Sequence, residues 1–459
     1  MPDIPIPVSF RAEIVQQVVS LVRAGESCAL IGVGSSGKSN IARHLARADV
    51  RQEYFGREAE ATLVVYLNCK PFARKPPAEF YLHALDQLTR ALDAHGGALA
   101  GQRETVNALW QAAQAGPPGL ALRNLDEAIG KLVAAGAAHL ILALDDCDDL
   151  LAYVAPEFFS DLRGLRDNYK VRLVYMTLTR REPAFLRQDT PEFEELFELL
   201  SAPGHNLGVT PYVETDALLM LQRLAARQVP PRALTHDEAR RLYVLAGGHA
   251  GLLRSMFFAT QYNSDIAAAS LTADGWERLA SHPDVEGECR KIWDSLEEEE
   301  QEDLQRLLLG QTPSADGLRR LDRRGLVRLH LNQPAEFFAP VFERCVGSLL
   351  GLSREDPPAA GLEVEFTGVG HQARVNGELV TNLLAPEFEI LRCLSAVRPE
   401  PCPRLALIES MRNAEQQERS RHVQGDPLRR LEEYVRQLRA KLGPAGHLIQ
   451  PTGDGYKLG

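Results

Sequence analysis

At 459 residues the chain is too long for one ordinary core, and two to four domains are expected. Its 45% hydrophobic and 25% charged residues are ordinary globular composition. A net charge of -11 excludes a molecule that coats nucleic acid or an anionic membrane over its whole surface, so any DNA contact has to come from a local basic patch.

The opening MPDIPIPVSF lacks a basic start followed by an apolar run, and no signal peptide is expected. No uninterrupted apolar stretch is long enough to span a bilayer. The seven cysteines form no CxxC pair, their number is odd and most sit beside apolar residues. That pattern predicts buried thiols in a reducing cytoplasm, with neither a disulfide framework nor a zinc site.

In chain order, CALIG (28–32), TLVVYLN (62–68), HLILALDD (139–146) and VRLVYMTLT (171–179) are aliphatic or β-branched runs separated by amphipathic helical stretches. Fully apolar strands between helices predict a parallel sheet covered on both faces, an α/β domain over 1–210. From Tyr212 the pattern turns helical, a block spanning 211–280. THDEARRLYVLAGGHAGLLRSMFFA opens with Thr235 and Glu238 at capping-box spacing and breaks at Gly247-Gly248. Over 285–350 an acidic helix, a turn, the helix GLRRLDRRGL and the short strands VRLHL and EFFAP follow in winged-helix order. SREDPPAAG is aperiodic and marks a linker at 351–361, before a last block at 362–459.

Gly32-Val33-Gly34-Ser35-Ser36-Gly37-Lys38-Ser39 matches G-x-x-x-x-G-K-[ST]. Its glycines let the backbone N–H groups of Gly34, Ser35, Ser36 and Gly37 turn toward phosphates. Lys38 would bridge the β- and γ-phosphates, and the Ser39 hydroxyl would ligate Mg²⁺. CALIG supplies the preceding strand, and SNIARHLARA supplies a helix whose N-terminus, including Asn40, favours anions. HLILALDDCDD places carboxylates at a strand's C-terminal end, where ligands gather in open α/β sheets. Asp145 would contact the metal through water and Asp146 would polarise the attacking water. Asp146 is one methylene shorter than the Glu of many active ATPases, so slow hydrolysis is expected. Asp148 and Asp149 read as a helix N-cap. Thr179 or Thr177 would sense the γ-phosphate, and Arg180 either adds positive charge there or is an ordinary surface arginine. Arg163 and Arg166 are arginine-finger candidates, better read as a solvated helix face.

With these residues assembled, GVGSSGKSN, LILALDD, the TLTR strand end, LGVTP and GGHAGLL together resemble a STAND ATPase, the signal-transducing branch of the AAA+ relatives, from about Phe10 to Leu350. The resemblance implies a helical lid, a winged helix and a proline, here Pro211, that packs near adenine. It implies an ATP/ADP switch that responds to a signal ligand or protein and self-associates as its nucleotide changes. His249, at a helix start, is read as structural.

NLLAPEFEILRCL, PRLALIESM, DPLRRLEEYVRQLRAKLG and HLIQPTGDGYKLG resemble the OmpR-type winged helix of response regulators, over Leu362 to Gly459. The full expectation is thus an AAA+-like α/β P-loop NTPase with a helical lid and two winged-helix domains. In the helix from Leu428 to Leu442, Leu431, Val435, Leu438 and Leu442 fall on one side. Arg429, Arg430, Arg436, Arg439 and Lys441, with Lys457 in the hairpin, are the candidates for contact with double-stranded DNA. The alternative is a solvated helix of Glu–Arg pairs, such as Glu432 with Arg436. This block carries 13 Lys plus Arg against 13 Asp plus Glu, and Thr452 and Asp454 in the wing do not help phosphate binding. A transcriptional regulator and a signalling or defence-type ATPase with a protein-docking winged helix both remain open. A nucleic-acid-remodelling motor is disfavoured, because no extended basic track is present.

Overall fold

The computed structural model describes residues 4–187, 191–262, 276–329, 334–352, 364–366, 370–375, 378–398, 400–417, 426–442, 449–452 and 454–458. It divides into two compact units, 1–342 and 343–459. All but two residues of the expected linker, and Gly453 of the terminal hairpin, lie outside the described residues.

The first unit is built on five parallel strands: β1 (Cys28–Ile31), β2 (Thr62–Asn68), β3 (His139–Asp145), β4 (Leu173–Thr179) and β5 (Asn206–Gly208), in the order β2-β3-β4-β1-β5. Alternation sends Leu63, Val65, Leu140, Leu142, Leu144 and Tyr175 to one face. There they pack on α4 (Pro77–Asp93), α5 (Arg103–Ala115), α6 (Gly119–Ala134) and α8 (Glu157–Tyr169). Val64, Ile141, Ala143, Val174, Met176 and Leu178 point the other way, onto α1 (Ala12–Arg23), α2 (Lys38–Leu45) and α3 (Ala48–Phe55). Each fully buried Leu, Ile or Val stabilises by roughly 1.5–3 kcal/mol, so both layers are held firmly.

The four long runs expected as strands are strands, although Lys170–Arg172 forms a 3₁₀ turn and delays β4. Three-residue β5 is too short to show a period in the sequence. Register places Ile31 beside Thr179, Leu178 beside Asp145 and Asp145 beside Asn68, which brings four strand ends to one edge. That edge positions the site. From it run α7 (Asp148–Tyr153) and, after β4, α9 (Pro191–Ser201).

A helical block follows, with α10 (Glu214–Ala226), α11 (His236–Ala246), α12 (Ala250–Tyr262) and α13 (Trp276–Ala280). Thr235 caps α11 by accepting from the Glu238 N–H at 3.2 Å. The Glu238 carboxylate pairs with Arg232, so the spacing foretold the cap and missed the pair. Next come α14 (Pro283–Trp293), α15 (Glu298–Leu308), α16 (Ala315–Arg323) and the antiparallel pair β6 (Val327–Arg328) and β7 (Glu336–Phe337); the end of the expected strand VRLHL, 330–331, lies outside the described residues. The unit boundary falls within α17 (Pro340–Leu349).

The second unit begins with β8 (Val364–Phe366), β9 (Ala373–Val375) and β10 (Glu378–Val380), an antiparallel sheet. α18 (Ala385–Val397), β11 (Cys402–Pro403), α19 (Arg404–Gln417) and α20 (Pro427–Lys441) follow, closed by the hairpin β12 (Ile449–Thr452) and β13 (Gly455–Leu458). Leu431, Val435, Leu438 and Leu442 are buried as their spacing predicts, among Ile390, Leu394, Leu407 and Tyr456. No described helix is long and apolar enough to cross a membrane. Six of the cysteines are buried and Cys393 is half-buried.

Candidate nucleotide site

The loop from Gly32 to Gly37 leaves β1 and turns directly into α2. Gly37 has φ 90°, and a Cβ there would come within 2.7 Å of the Tyr212 hydroxyl, so glycine fits on both counts. Ser35, at the crest, also has positive φ (57°), a strained setting for a residue with a side chain. Lys38 is only 9% exposed, and its ammonium donates to the carbonyls of Gly32 (2.7 Å) and Val33 (3.0 Å). Burial lowers its pKa to about 8, with Asp148 opposing that shift. Asn40, one turn into α2, donates to the Tyr212 hydroxyl at 3.4 Å.

Asp145 ends β3 and is 3% exposed. It accepts from the Asp146 N–H (3.0 Å) and from the Tyr66 hydroxyl, which also reaches Ser39. Tyr66 on β2 therefore bridges the two expected metal ligands. Burial and then Asp145 push its pKa up to about 12. Only strand register brings it there, which no stretch of sequence around Tyr66 reveals. Asp146 is half-exposed with φ 50° and lies 3.7 Å from Arg180, so a strained acid and a cation face each other at the strand ends. Asp148 corrects the N-cap reading. It is the first residue of α7, and its carboxylate crosses to accept from the Arg180 (2.8 Å) and Arg181 (3.2 Å) N–H groups at the end of β4. Burial raises its pKa. Asp149 is exposed.

Thr177 and Thr179 are buried, and their hydroxyl oxygens, like Ser36 Oγ, have no hydrogen-bond partner among the described residues. A buried hydroxyl without a partner costs about 1–3 kcal/mol, a cost that a ligand oxygen would relieve. Ser39 and Asp145 are oxygen donors of the kind that a hard cation such as Mg²⁺ takes beside phosphates. Neither arginine-finger candidate faces this edge. Arg163 pairs with Asp167 on its own helix and donates to the Glu195 carbonyl at 2.6 Å. Arg166 is not solvated: it is 7% exposed and bonds the Gly25 carbonyl at 2.5 Å.

Pro211 lines a cavity of about 680 Å³ with Arg11, Gln17, Thr210 and Leu218. Arg11 donates to the Pro211 carbonyl (3.1 Å) and lies over the Tyr212 ring at 5.0 Å. Its Nε and second terminal nitrogen are buried and find no hydrogen-bond partner among the described residues. Phe10 packs edge-on to Tyr212 at 5.4 Å. No motif in the sequence marks Arg11 and Tyr212 as partners beside Pro211. The sequence signal is an arginine that follows an aromatic immediately before the first helix.

Two further elements touch this edge. His249 is fully buried and reaches the Gly34 carbonyl. Arg324, after α16, is buried against Glu300 and donates to the carbonyls of Ser295 (2.9 Å) and Arg180 (3.0 Å). Flanking pairs join Arg181 to Glu297 and Arg323 to Glu182.

The candidate DNA residues separate into two groups. Arg429 and Arg436 are exposed, Arg436 beside Glu433, and Lys457 is half-exposed. Arg430, Arg439 and Lys441 are engaged within the domain. Arg430 pairs with Glu415 at 2.8 Å, and Arg439 holds the Ile449 carbonyl at 2.8 Å and lies against Tyr456. Lys441 binds the fully buried Glu387 carboxylate at 2.6 Å. These three cations hold the domain together and face inward partners. Glu432–Arg436 is likewise replaced by Glu433–Arg436.

Residues 8–174 match the family model for an AAA ATPase domain. No curated protein matches the chain. Among solved structures, the chain is similar to a Walker-type ATPase of Pyrococcus abyssi, at 13% identity over 73% of this chain and 95% of that one, TM-score 0.45. It is also similar to Cdc6p from Pyrobaculum aerophilum, at 15% identity over 75% and 95%, TM-score 0.33. A third is the Aeropyrum pernix ORC1 protein in complex with DNA, at 14% identity over 96% and 85%, TM-score 0.37. The match over residues 8–174, with the parallel sheet and the phosphate loop, supports a P-loop ATPase domain of the AAA type that binds nucleotide.

Proposed function

We propose that this protein is an ATP-binding, slowly hydrolysing STAND-type switch that couples nucleotide state to a C-terminal winged-helix domain, acting as a transcriptional regulator. The division is an ATPase domain over 1–210, a lid over 211–280, a winged helix over 285–350, and a second over 362–459 beyond the linker. The observation that carries the reading is the buried Arg324, which ties the strand end bearing Arg180 to α15. A change at the phosphate edge then moves, or is blocked by, the third block. Lys38 and the loop N–H groups would hold the phosphates, and Ser39 and Asp145 would hold Mg²⁺, which supplies charge to offset the phosphates when bound. Pro211 and Arg11 flank adenine. Asp146 orients the attacking water, and Thr179 and Arg180 contact the terminal phosphate.

In this reading ADP keeps the three blocks closed, and ATP exchange opens them and promotes self-association. Sizing the full chain with ADP and with a non-hydrolysable ATP analogue tests it; identical elution in both states would remove the switch. Asp146→Asn should bind ATP and turn it over far more slowly, and wild-type turnover would dismiss Asp146 as the water-orienting group.

A second reading keeps the switch and gives the C-terminal block a protein partner. The inward pairing of Arg430, Arg439 and Lys441 favours it, because it leaves few cations for phosphate. Fluorescence anisotropy of the full chain with duplex DNA across salt concentrations separates the two. A steep negative salt dependence supports the regulator, and absence of binding at low ionic strength supports the docking role.

A further inference from the structure

His249 stands at the N-cap position of α12, and its two ring nitrogens do different work. Nδ1 lies 3.3 Å from the Leu252 N–H, the third residue of that helix, and accepts from it as a capping side chain does. An accepting Nδ1 carries no proton, so the proton of the neutral ring sits on Nε2. Nε2 lies 3.0 Å from the Gly34 carbonyl at the crest of the phosphate loop, and the His249 side chain is itself fully buried. Burial also pushes the ring's pKa down to about 4, which keeps it in this neutral, one-donor form at ordinary pH.

The consequence follows from peptide geometry. In a trans peptide the carbonyl and the next N–H point in opposite directions. Holding the Gly34 carbonyl toward α12 directs the Ser35 N–H away from α12, and Ser35 keeps its strained positive φ. α14 and α12 both pack close to that peptide. A Cβ on Gly34 would lie 3.4 Å from the Lys291 carbonyl of α14. A Cβ on Gly251 would lie 2.7 Å from Ser35 Cβ and 2.0 Å from Glu288 Oε1. Only glycine at 251 lets α12 come this close to the loop.

We propose that His249 is a positioning residue for the phosphate loop: its Nε2–H pins the Gly34 carbonyl so that the Ser35 N–H faces the phosphates, which makes the start of α12 part of the phosphate grip. The inference rests on the P-loop reading and adds to it a direct mechanical link from the helical block to the nucleotide. By linkage, a bound nucleotide strengthens the contact as much as the contact strengthens binding.

Two substitutions separate the roles of the ring. His249→Asn keeps a strong helix cap in the place of Nδ1 and removes the donor. His249→Gln keeps an amide donor near the place of Nε2 and weakens the cap. Titration of the full chain with ADP and with a non-hydrolysable ATP analogue, each with Mg²⁺, should show about tenfold weaker binding for His249→Asn. His249→Gln should stay within about threefold of wild type. Wild-type affinity in His249→Asn, or equal losses in both variants, would overturn the proposal and leave His249 as a helix cap. Hydrogen exchange on the unaltered protein gives an independent check if a variant does not fold. Nucleotide should slow exchange at the Leu252 amide, and an unchanged rate counts against the link. Lys38→Ala serves as the control, and a wild type that binds neither nucleotide would indict the P-loop reading itself.

Discussion

Two sets of basic side chains, one in each unit, show how much the partner of a cation decides what else it can bind. Lys38 is held by two neutral carbonyls, so a phosphate that replaces them brings a charge to a charge. Lys441 is held by a carboxylate that is itself fully buried, and a phosphate offers it nothing better. Both lysines sit at helix ends and both read as anion contacts in the sequence. Only Lys38 is available.

The comparison breaks most sharply at Lys441. Lys441→Met leaves Glu387 buried without its cation and should destabilise the second unit by about 3 kcal/mol, the lower end for breaking a buried pair because Lys441 is partly exposed. Chemical denaturation of the full chain would show it as an earlier transition for that unit. A shift under about 0.5 kcal/mol would mean that the pair is a loose surface contact. At the other pole, Lys38→Ala should weaken ATP at least about a hundredfold by calorimetry while leaving the fold intact. Unchanged affinity would sink the phosphate-loop assignment.

The titration of Lys38 sharpens the contrast further. Its folded pKa of about 8 lies below the value near 10.4 of an unfolded lysine. Unfolding therefore takes up a proton between these limits, and Lys38 makes the unliganded fold gain stability as pH rises from about 8 toward 10.4. Nucleotide binding needs the charged form and runs the other way. ATP affinity should fall about tenfold from pH 7 to pH 9, and a flat profile would place the ammonium away from phosphate.

The legible parts of the site were those carried by neighbours in sequence. The phosphate loop occupies eight consecutive positions, and Asp145 and Asp146 close an apolar run, so strand, loop and helix could be read together. Tyr66 could not be read this way, because its approach to Asp145 depends on pairing between β2 and β3. Asp148 looked like a cap because its neighbours in sequence form a helix. It serves β4, more than thirty residues away. The apolar period of α20 found its buried side correctly and left the flanks undecided. Whether a flanking arginine is free or tied rests on Glu415, Ile449 and Glu387, which no helical period can reveal.

The smallest effect separates the arginines of α20 from one another. Arg429 is exposed, and Arg436 pairs with Glu433 at the surface, a contact worth no more than about 1 kcal/mol that a DNA phosphate could displace. Each phosphate contact removed should reduce the slope of log affinity against log salt by about 0.9. Arg429→Ala with Arg436→Ala should therefore flatten that slope by nearly two and cost only a few-fold at moderate salt, with the fold unchanged. Arg439→Ala should behave differently. Its guanidinium joins α20 to the Ile449 carbonyl in the closing hairpin, so the variant should lower thermal stability and loosen the wing. If Arg439→Ala instead lowers the salt slope with no change in melting temperature, Arg439 exchanges its carbonyl for phosphate as readily as Lys38 is expected to. Partner type would then fail as the rule that distinguishes the two units.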